Sequence, residues 1–219
     1  MVARPELLEQ ISDALQKGED ERVGELTRSA IEGEIPPREI LDGGLIAGMN
    51  VIGKQFRDHQ IFLPDVLLAA RAMYAGMDLL RPLFIEEGIP SIGKVVLGTV
   101  QGDLHDIGKN LVGIMLRGAG FEVIDLGKDV PPRTFVETAE AEQANVIGMS
   151  TLLTTTTPVM EQVTDLLSQK GLNSSIRTIV GGAPVTSDLA REIGADSYGY
   201  DAANAVDCVK ALYDELNAG

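Results

Sequence analysis

The sequence predicts a chain in two parts, an N-terminal antiparallel four-helix bundle followed by a doubly wound parallel α/β domain. Three observations carry this. Apolar residues recur at helical spacing from Glu6 to about Glu86. The pattern changes abruptly after "EEGIPSIG". Beyond it, five short β-branched runs alternate strictly with helix-like segments, the signature of a parallel sheet with right-handed crossovers. The predicted boundaries are residues 1–88 for the helical domain, 89–93 for a linker and 94–219 for the α/β domain.

In the first part, Leu7, Leu8, Ile11 and Leu15 mark one helical face and Val66, Leu67, Ala70, Met73, Met77 and Leu80 another. The spacing predicts helices over 5–17, 20–32, 37–57 and 63–86, broken at "KGED", "GEIPP" and "RDHQIFLP", with Pro37 and Pro64 in first turns. Short connections favour antiparallel neighbours. In the second part the predicted strands are 94–100, 121–126, 145–150, 177–182 and the weaker 196–200. The linker segment Glu86 to Gly93 reads as a hinge, with Gly88 and Gly93 loosening it and Pro90 restraining it.

Composition narrows the function. Eighteen Lys and Arg against 33 Asp and Glu give a formal charge of −15, which repels nucleic acid and anionic membrane. Tryptophan is absent and aromatic residues make up 4%, so base-stacking platforms are scarce. One cysteine, Cys208, permits no internal disulfide and suits a reducing cytoplasm. The N-terminus lacks the apolar core of a signal peptide, and no uncharged apolar run approaches the roughly 20 residues that span a bilayer. The partners expected are proteins and a small molecule.

In open α/β sheets, ligands bind outside the carboxyl ends of the strands. Strand one ends in "QGDLHDIG", strand three in Ser150-Thr151-Leu152 and strand four in Gly181-Gly182. In a flavodoxin-like (Rossmann-like) order, 2-1-3-4-5, these three ends are adjacent. Gly102, Gly108 and Lys109 imitate a phosphate-binding loop, but five residues separate the glycines where the motif needs four, and Asn110 replaces its Ser/Thr. The turn after strand one also lacks the dinucleotide fingerprint. His105 is instead a candidate metal ligand. An imidazole that binds metal needs its second nitrogen held, and Asp103 is placed to hold it.

Asp103-Leu104-His105-Asp106-Ile107-Gly108 is a D-x-H-x-x-G sequence, and S-x-L and GG elements follow in order. In this the chain resembles cobalamin-binding domains. The resemblance implies that His105 is the lower axial ligand of cobalt, displacing the cofactor's own benzimidazole (base-off, His-on). It implies that Gly102, Leu104, Asp106 and Gly108 line the corrin-facing turn. Ser150 meets the displaced base, the Gly181-Gly182 backbone makes room for its nucleotide tail, Ala202 touches that tail, and Leu152 and Thr154 are further cofactor-binding residues. Thr156 stands where related methionine synthases carry a serine that hydrogen-bonds the motif aspartate, which implies a relay of Thr156, Asp103 and His105 as the catalytic set. Thr154 to Thr157 also read as a helix start, with Thr157 as cap and Pro158 first. Lys109 and Asn110 receive no role.

Gly44 to Met73 resembles the helical cap that precedes the cobalamin domain in methionine synthase and in small methyltransferase corrinoid proteins. The resemblance implies that Phe56 and Leu63 cover the cobalt's upper face and that Asp42 contacts the corrin. Phe62 is expected in the bundle core and His59 at the surface. The function implied is a corrinoid methyl carrier, holding methylcob(III)alamin and cob(I)alamin or a related corrinoid in turn. It would serve a substrate-specific methyltransferase, a second methyltransferase acting on tetrahydrofolate or a thiol, and a reductive activase. The alternatives are a cobalamin sensor or store, which in light sensors carries an added DNA-binding head, and a subunit of an adenosylcobalamin-dependent mutase, which generally lacks the cap.

Overall fold

The computed structural model describes residues 4–87 and 92–218, apart from the side chains of residues 57 and 85–87. Gly88 and Pro90, the core of the expected hinge, lie outside the described residues. Two compact units divide the chain, one built from the helices before residue 92 and one from the sheet and its helices after it.

The first unit holds α1 (Arg4–Gln16), α2 (Asp20–Glu32), α3 (Pro37–Ile40), α4 (Ala47–Arg57) and α5 (Leu63–Glu87). Asp20 and Glu21 stand in the first turn of α2, where negative charge suits the helix dipole. The single helix expected over 37–57 is interrupted: Leu41–Ile46 forms a π-helical turn between α3 and α4. α2 lies along α5, and α1 packs on α2 and α4. Ile11, Leu15, Val23, Ile40, Leu45, Val66 and Leu80 are fully buried there. Phe62, expected in this core, is 71% exposed. It stands just before α5, where its backbone N–H donates to Asp65 Oδ2 at 2.8 Å, so a helix-start bond fixes its place.

The second unit alternates β1 (Lys94–Thr99), α6 (Ile107–Gly118), β2 (Glu122–Asp125), α7 (Pro132–Ala141), β3 (Val146–Ser150), α8 (Thr157–Gln169), β4 (Arg177–Gly181), α9 (Ser187–Glu192), β5 (Ser197–Gly199) and α10 (Ala202–Asn217). The sheet order is β2-β1-β3-β4-β5, every pairing parallel. Val95, Val96, Leu97, Val146 and Ile147 are buried, as strands covered on both faces require. Phe135, Met160, Val163, Val180 and Val185 belong to the same core. β1 and β3 register with Thr99 opposite Ser150, and β3 and β4 with Ser150 opposite Gly181. The crossovers leave β1 and β3 on opposite sides, which opens a crevice at their carboxyl ends.

The β4 turn closes tightly on β3. Thr151 N donates to Gly181 O at 3.2 Å, and a Cβ built on Gly182 would lie 1.8 Å from Thr151 O. Gly182 also has φ +125°, a region that side chains strongly disfavour. Gly182→Ala is therefore expected to cost on the order of 3 kcal/mol or more, read as a lower urea midpoint.

Candidate functional site

The first parallel strand delivers a turn that is held from two sides. On the β2 side, Gly102 N donates to Asp129 Oδ1 at 2.8 Å and Asp129 N to Asp103 O at 3.1 Å. Gly102 takes φ +86° to make this turn. Within the turn, Thr99 Oγ1 donates to His105 O at 2.9 Å. Lys109, given no role by the sequence, is a strut: its side chain is buried, and Nζ lies 2.6 Å from Asp125 Oδ2 at the end of β2. That pair ties the first turn of α6 to the sheet.

On the β3 side the tie is Asp103. Its side chain has no exposure, yet it makes bonds that suit the ionised form. Oδ1 accepts from His105 N at 2.9 Å and pairs with His105 Nδ1 at 2.7 Å. Oδ2 accepts from Leu152 N at 2.6 Å, Leu153 N at 3.2 Å and Thr151 Oγ1 at 2.9 Å. Burial raises the carboxyl's pKa, but the His105 and Leu152 backbone N–H groups, the His105 ring and the Thr151 hydroxyl outweigh it. The group is held well below the usual carboxylate range.

An ionised Asp103 fixes the imidazole as the Nδ1–H tautomer, leaving the lone pair on Nε2. The His105 side chain is 54% exposed. The ring is therefore gripped at one nitrogen and open at the other, the arrangement a single-point metal ligand requires. Among the described residues no three His, Cys, Asp or Glu side chains cluster to hold a metal. A metal that arrives with its own macrocycle fits this donor set. A large apolar ligand fits as well: Leu104 is 64% and Ile107 74% exposed, Leu152 and Leu153 stand partly open, and a Cβ on Gly108 would meet nothing within 4 Å.

Thr156 does not reach Asp103 as the resemblance implied. Its hydroxyl contacts Thr151 Oγ1 at 2.5 Å and Leu153 O at 3.0 Å, and Thr151 makes the bond to the carboxylate. The path of the chain leaving β3 turns the Thr151 side chain toward Asp103 first. Nor does Thr157 cap α8. A 3-10 turn, Thr154–Thr156, precedes that helix, Thr157 is its first residue, and the Thr157 hydroxyl donates to Thr154 O. Thr151 and Asp129 were missed by sequence reasoning; a threonine inside an S-x-L element was the available signal.

The other expected residues sit as follows. Ser150 is half-buried at the end of β3, Thr154 is exposed, and Asp106 accepts Asn110 N through its backbone carbonyl. Gly181 abuts β5, where a Cβ would lie 2.9 Å from Gly199 O. Ala202 is buried at the start of α10, just after the Asp201 cap. In the helical unit Phe56 and Leu63 are half-buried, His59 is exposed, and Asp42 lies in the π-helical turn paired with Arg38 at 2.7 Å.

Two family models, each described as a B12 binding domain, match the chain, one over residues 93–207 and the other over residues 7–81. The chain belongs to the cobalamin-binding corrinoid proteins of methyltransferase systems. It is 41% identical to trimethylamine corrinoid protein 1 of Methanosarcina acetivorans over 214 residues, 97% of this chain and 99% of that one. It is 45% identical to dimethylamine corrinoid protein 3 of the same organism over 206 residues, 94% and 96% of the two chains. A chain of the methanol:cobalamin methyltransferase complex MtaBC of Methanosarcina barkeri matches with a TM-score of 0.85 at 33% identity, covering 95% of this chain and 80% of that one. In this corrinoid protein no helix among the described residues is long and apolar enough to cross a membrane.

An asparagine cannot replace Asp103, because in either orientation its amide would face a backbone N–H, of His105 or of Leu152. Asp103→Asn is expected to lose about 2–4 kcal/mol in urea unfolding of the cofactor-free protein. The folded-state carboxyl titrates below the unfolded value of about 3.9. Its contribution is thus whole above about pH 4 and declines as the pH falls further. The gap between wild type and variant should hold from about pH 8 to about pH 5 and close below about pH 4.

Proposed function

We propose that this protein carries methyl groups from methylamines, receiving them from a substrate-specific methyltransferase and yielding them to a second one that acts on tetrahydrofolate or a thiol. The observation that supports it best is the Asp103-gripped, Nε2-open His105, on a chain aligned nearly end to end with trimethylamine and dimethylamine corrinoid proteins. When bound, the corrinoid supplies the methyl-accepting and methyl-donating cobalt.

The protein's own residues bind, orient and shield. His105 serves as lower ligand through Nε2, with Asp103 holding its ring and tautomer. Gly102, Leu104, Asp106 and Gly108 line the turn beneath the corrin. Ser150, Leu152, Thr154, Gly181, Gly182 and Ala202 receive the displaced base and its tail. In the helical unit, Phe56 and Leu63 shield the reactive face and Asp42 contacts the corrin. A reductive activase restores the reduced state when the cofactor is oxidised, and the protein works in the cytoplasm.

Loading with hydroxocobalamin should give a visible spectrum showing a nitrogen lower ligand. His105→Ala is expected to lose that feature and to bind hydroxocobalamin at least about tenfold more weakly. An unchanged spectrum would refute the ligand assignment. The donor is tested by mixing the reduced, loaded protein with a candidate methyltransferase and trimethylamine, dimethylamine, monomethylamine or methanol. Absorbance changes that depend on a methylamine are expected; a response to methanol alone would overturn the donor class.

A further inference from the structure

The turn that carries His105 has one soft point. Gly102, directly before Asp103, has no side chain and takes φ +86°, so nothing of its own fixes the backbone there. Asp129 supplies what Gly102 lacks. Its Oδ1 accepts from Gly102 N at 2.8 Å, and its own N–H donates to Asp103 O at 3.1 Å. One residue after β2 thus holds the Gly102–Asp103 pair at both ends. To do so Asp129 takes φ +57°, a left-handed setting that residues other than glycine seldom adopt and that aspartate tolerates better than most. A glycine would sit there without strain, so the carboxylate is what the position gains.

The place of Asp129 does not depend on its side chain. Thr99 N donates to Gly127 O at 2.9 Å and Val130 N to Thr99 O at 3.0 Å, so backbone bonds lace the segment to the end of β1 on either side of it.

We propose that Asp129 is a positioning residue for the lower ligand: by fixing Gly102 it sets where Asp103, and hence His105 two residues on, stand beneath the cofactor. The proposal rests on His105 being that ligand. Asp103 orients the imidazole, but it can do so only as well as its own backbone is placed. A metal ligand must be held within about 0.5 Å of its working position, and an unbraced glycine just before Asp103 is where that tolerance is lost.

Three variants separate the side chain from the backbone it requires. Asp129→Gly keeps the left-handed backbone and deletes the acceptor. Asp129→Asn keeps both, because its amide oxygen can accept from Gly102 N. Asp129→Ala deletes the acceptor and adds strain. In Asp129→Gly the relief of strain offsets the lost bond, so the urea midpoint of the cofactor-free protein should stay near that of wild type, whereas Asp129→Ala should lower it. Gly102 is exposed, so its amide should exchange with deuterium at least about tenfold faster in Asp129→Gly and stay slow in Asp129→Asn.

In protein loaded with hydroxocobalamin and reduced to cobalt(II), electron paramagnetic resonance reports the His-on fraction by its nitrogen coupling. Asp129→Gly is expected to lower the ratio of His-on to His-off roughly three- to tenfold, with Asp129→Asn within about twofold of wild type. Affinity for hydroxocobalamin completes a cycle. Asp129→Gly should weaken binding by a similar factor when His105 is present and by less than about twofold in a His105→Ala background. A merely structural brace would weaken both alike. An unchanged His-on ratio, a loss of affinity that persists without His105, a steep fall in the urea midpoint of Asp129→Gly, or an asparagine variant that behaves like the glycine one each overturn the proposal. Wild type and His105→Ala with identical cobalt(II) spectra would instead overturn the ligand assignment, before any Asp129 variant is considered.

Discussion

A carboxylate taken wholly out of water must be surrounded by donors, and that requirement at Asp103 organises the α/β unit. Five protein groups meet its two oxygens, two from His105 and three from Thr151, Leu152 and Leu153. They belong to the segments that leave β1 and β3. Those segments meet only if the two strands are neighbours, which the order β2-β1-β3-β4-β5 provides. The anion in turn gives His105 a single tautomer and a fixed ring. Fold and chemistry thus share one constraint.

The same turn is braced where no ligand chemistry is needed. Asp129 ties it to the segment after β2, and the buried Lys109–Asp125 pair anchors the start of α6 to the end of that strand. A buried ion pair adds little net stability over an apolar pair, but it is costly to break and specific in its geometry. Its value here is that α6 begins at a fixed place, directly after the turn that carries Asp103 and His105. The exposed Leu104 and Ile107 are tolerable for the same reason, since a corrin ring would cover apolar side chains that water leaves unfavourably wet.

Much of this was legible in the sequence because it is local or periodic. Alternating strand and helix patterns fix a parallel sheet, and the aspartate and histidine that form the central bond lie two residues apart. What was not legible depends on the path of the backbone between elements. Five threonines lie between Thr151 and Thr157, and composition alone cannot rank which hydroxyl reaches a carboxylate some fifty residues earlier. The resemblance chose Thr156; the turn after β3 puts Thr151 there. Phe62 was assigned to the core by its apolarity, whereas its position before α5 leaves it exposed. The π-helical turn at Leu41–Ile46 keeps helical character and so leaves the apolar pattern looking continuous. Lys109 looked like part of a failed phosphate loop because its partner, Asp125, is on another strand.

Thr151 faces two ways. Its hydroxyl meets Asp103, while its amide bonds Gly181 and its carbonyl lies against Gly182 with no space for a methyl group between them. The diglycine turn and the turn that carries His105 therefore bear on a single residue. A push on one side has no soft layer in which to dissipate, so the space beside the Gly181-Gly182 turn, proposed above for the nucleotide tail, and the turn that grips the imidazole form one mechanical unit. Filling the first would set the geometry of the second.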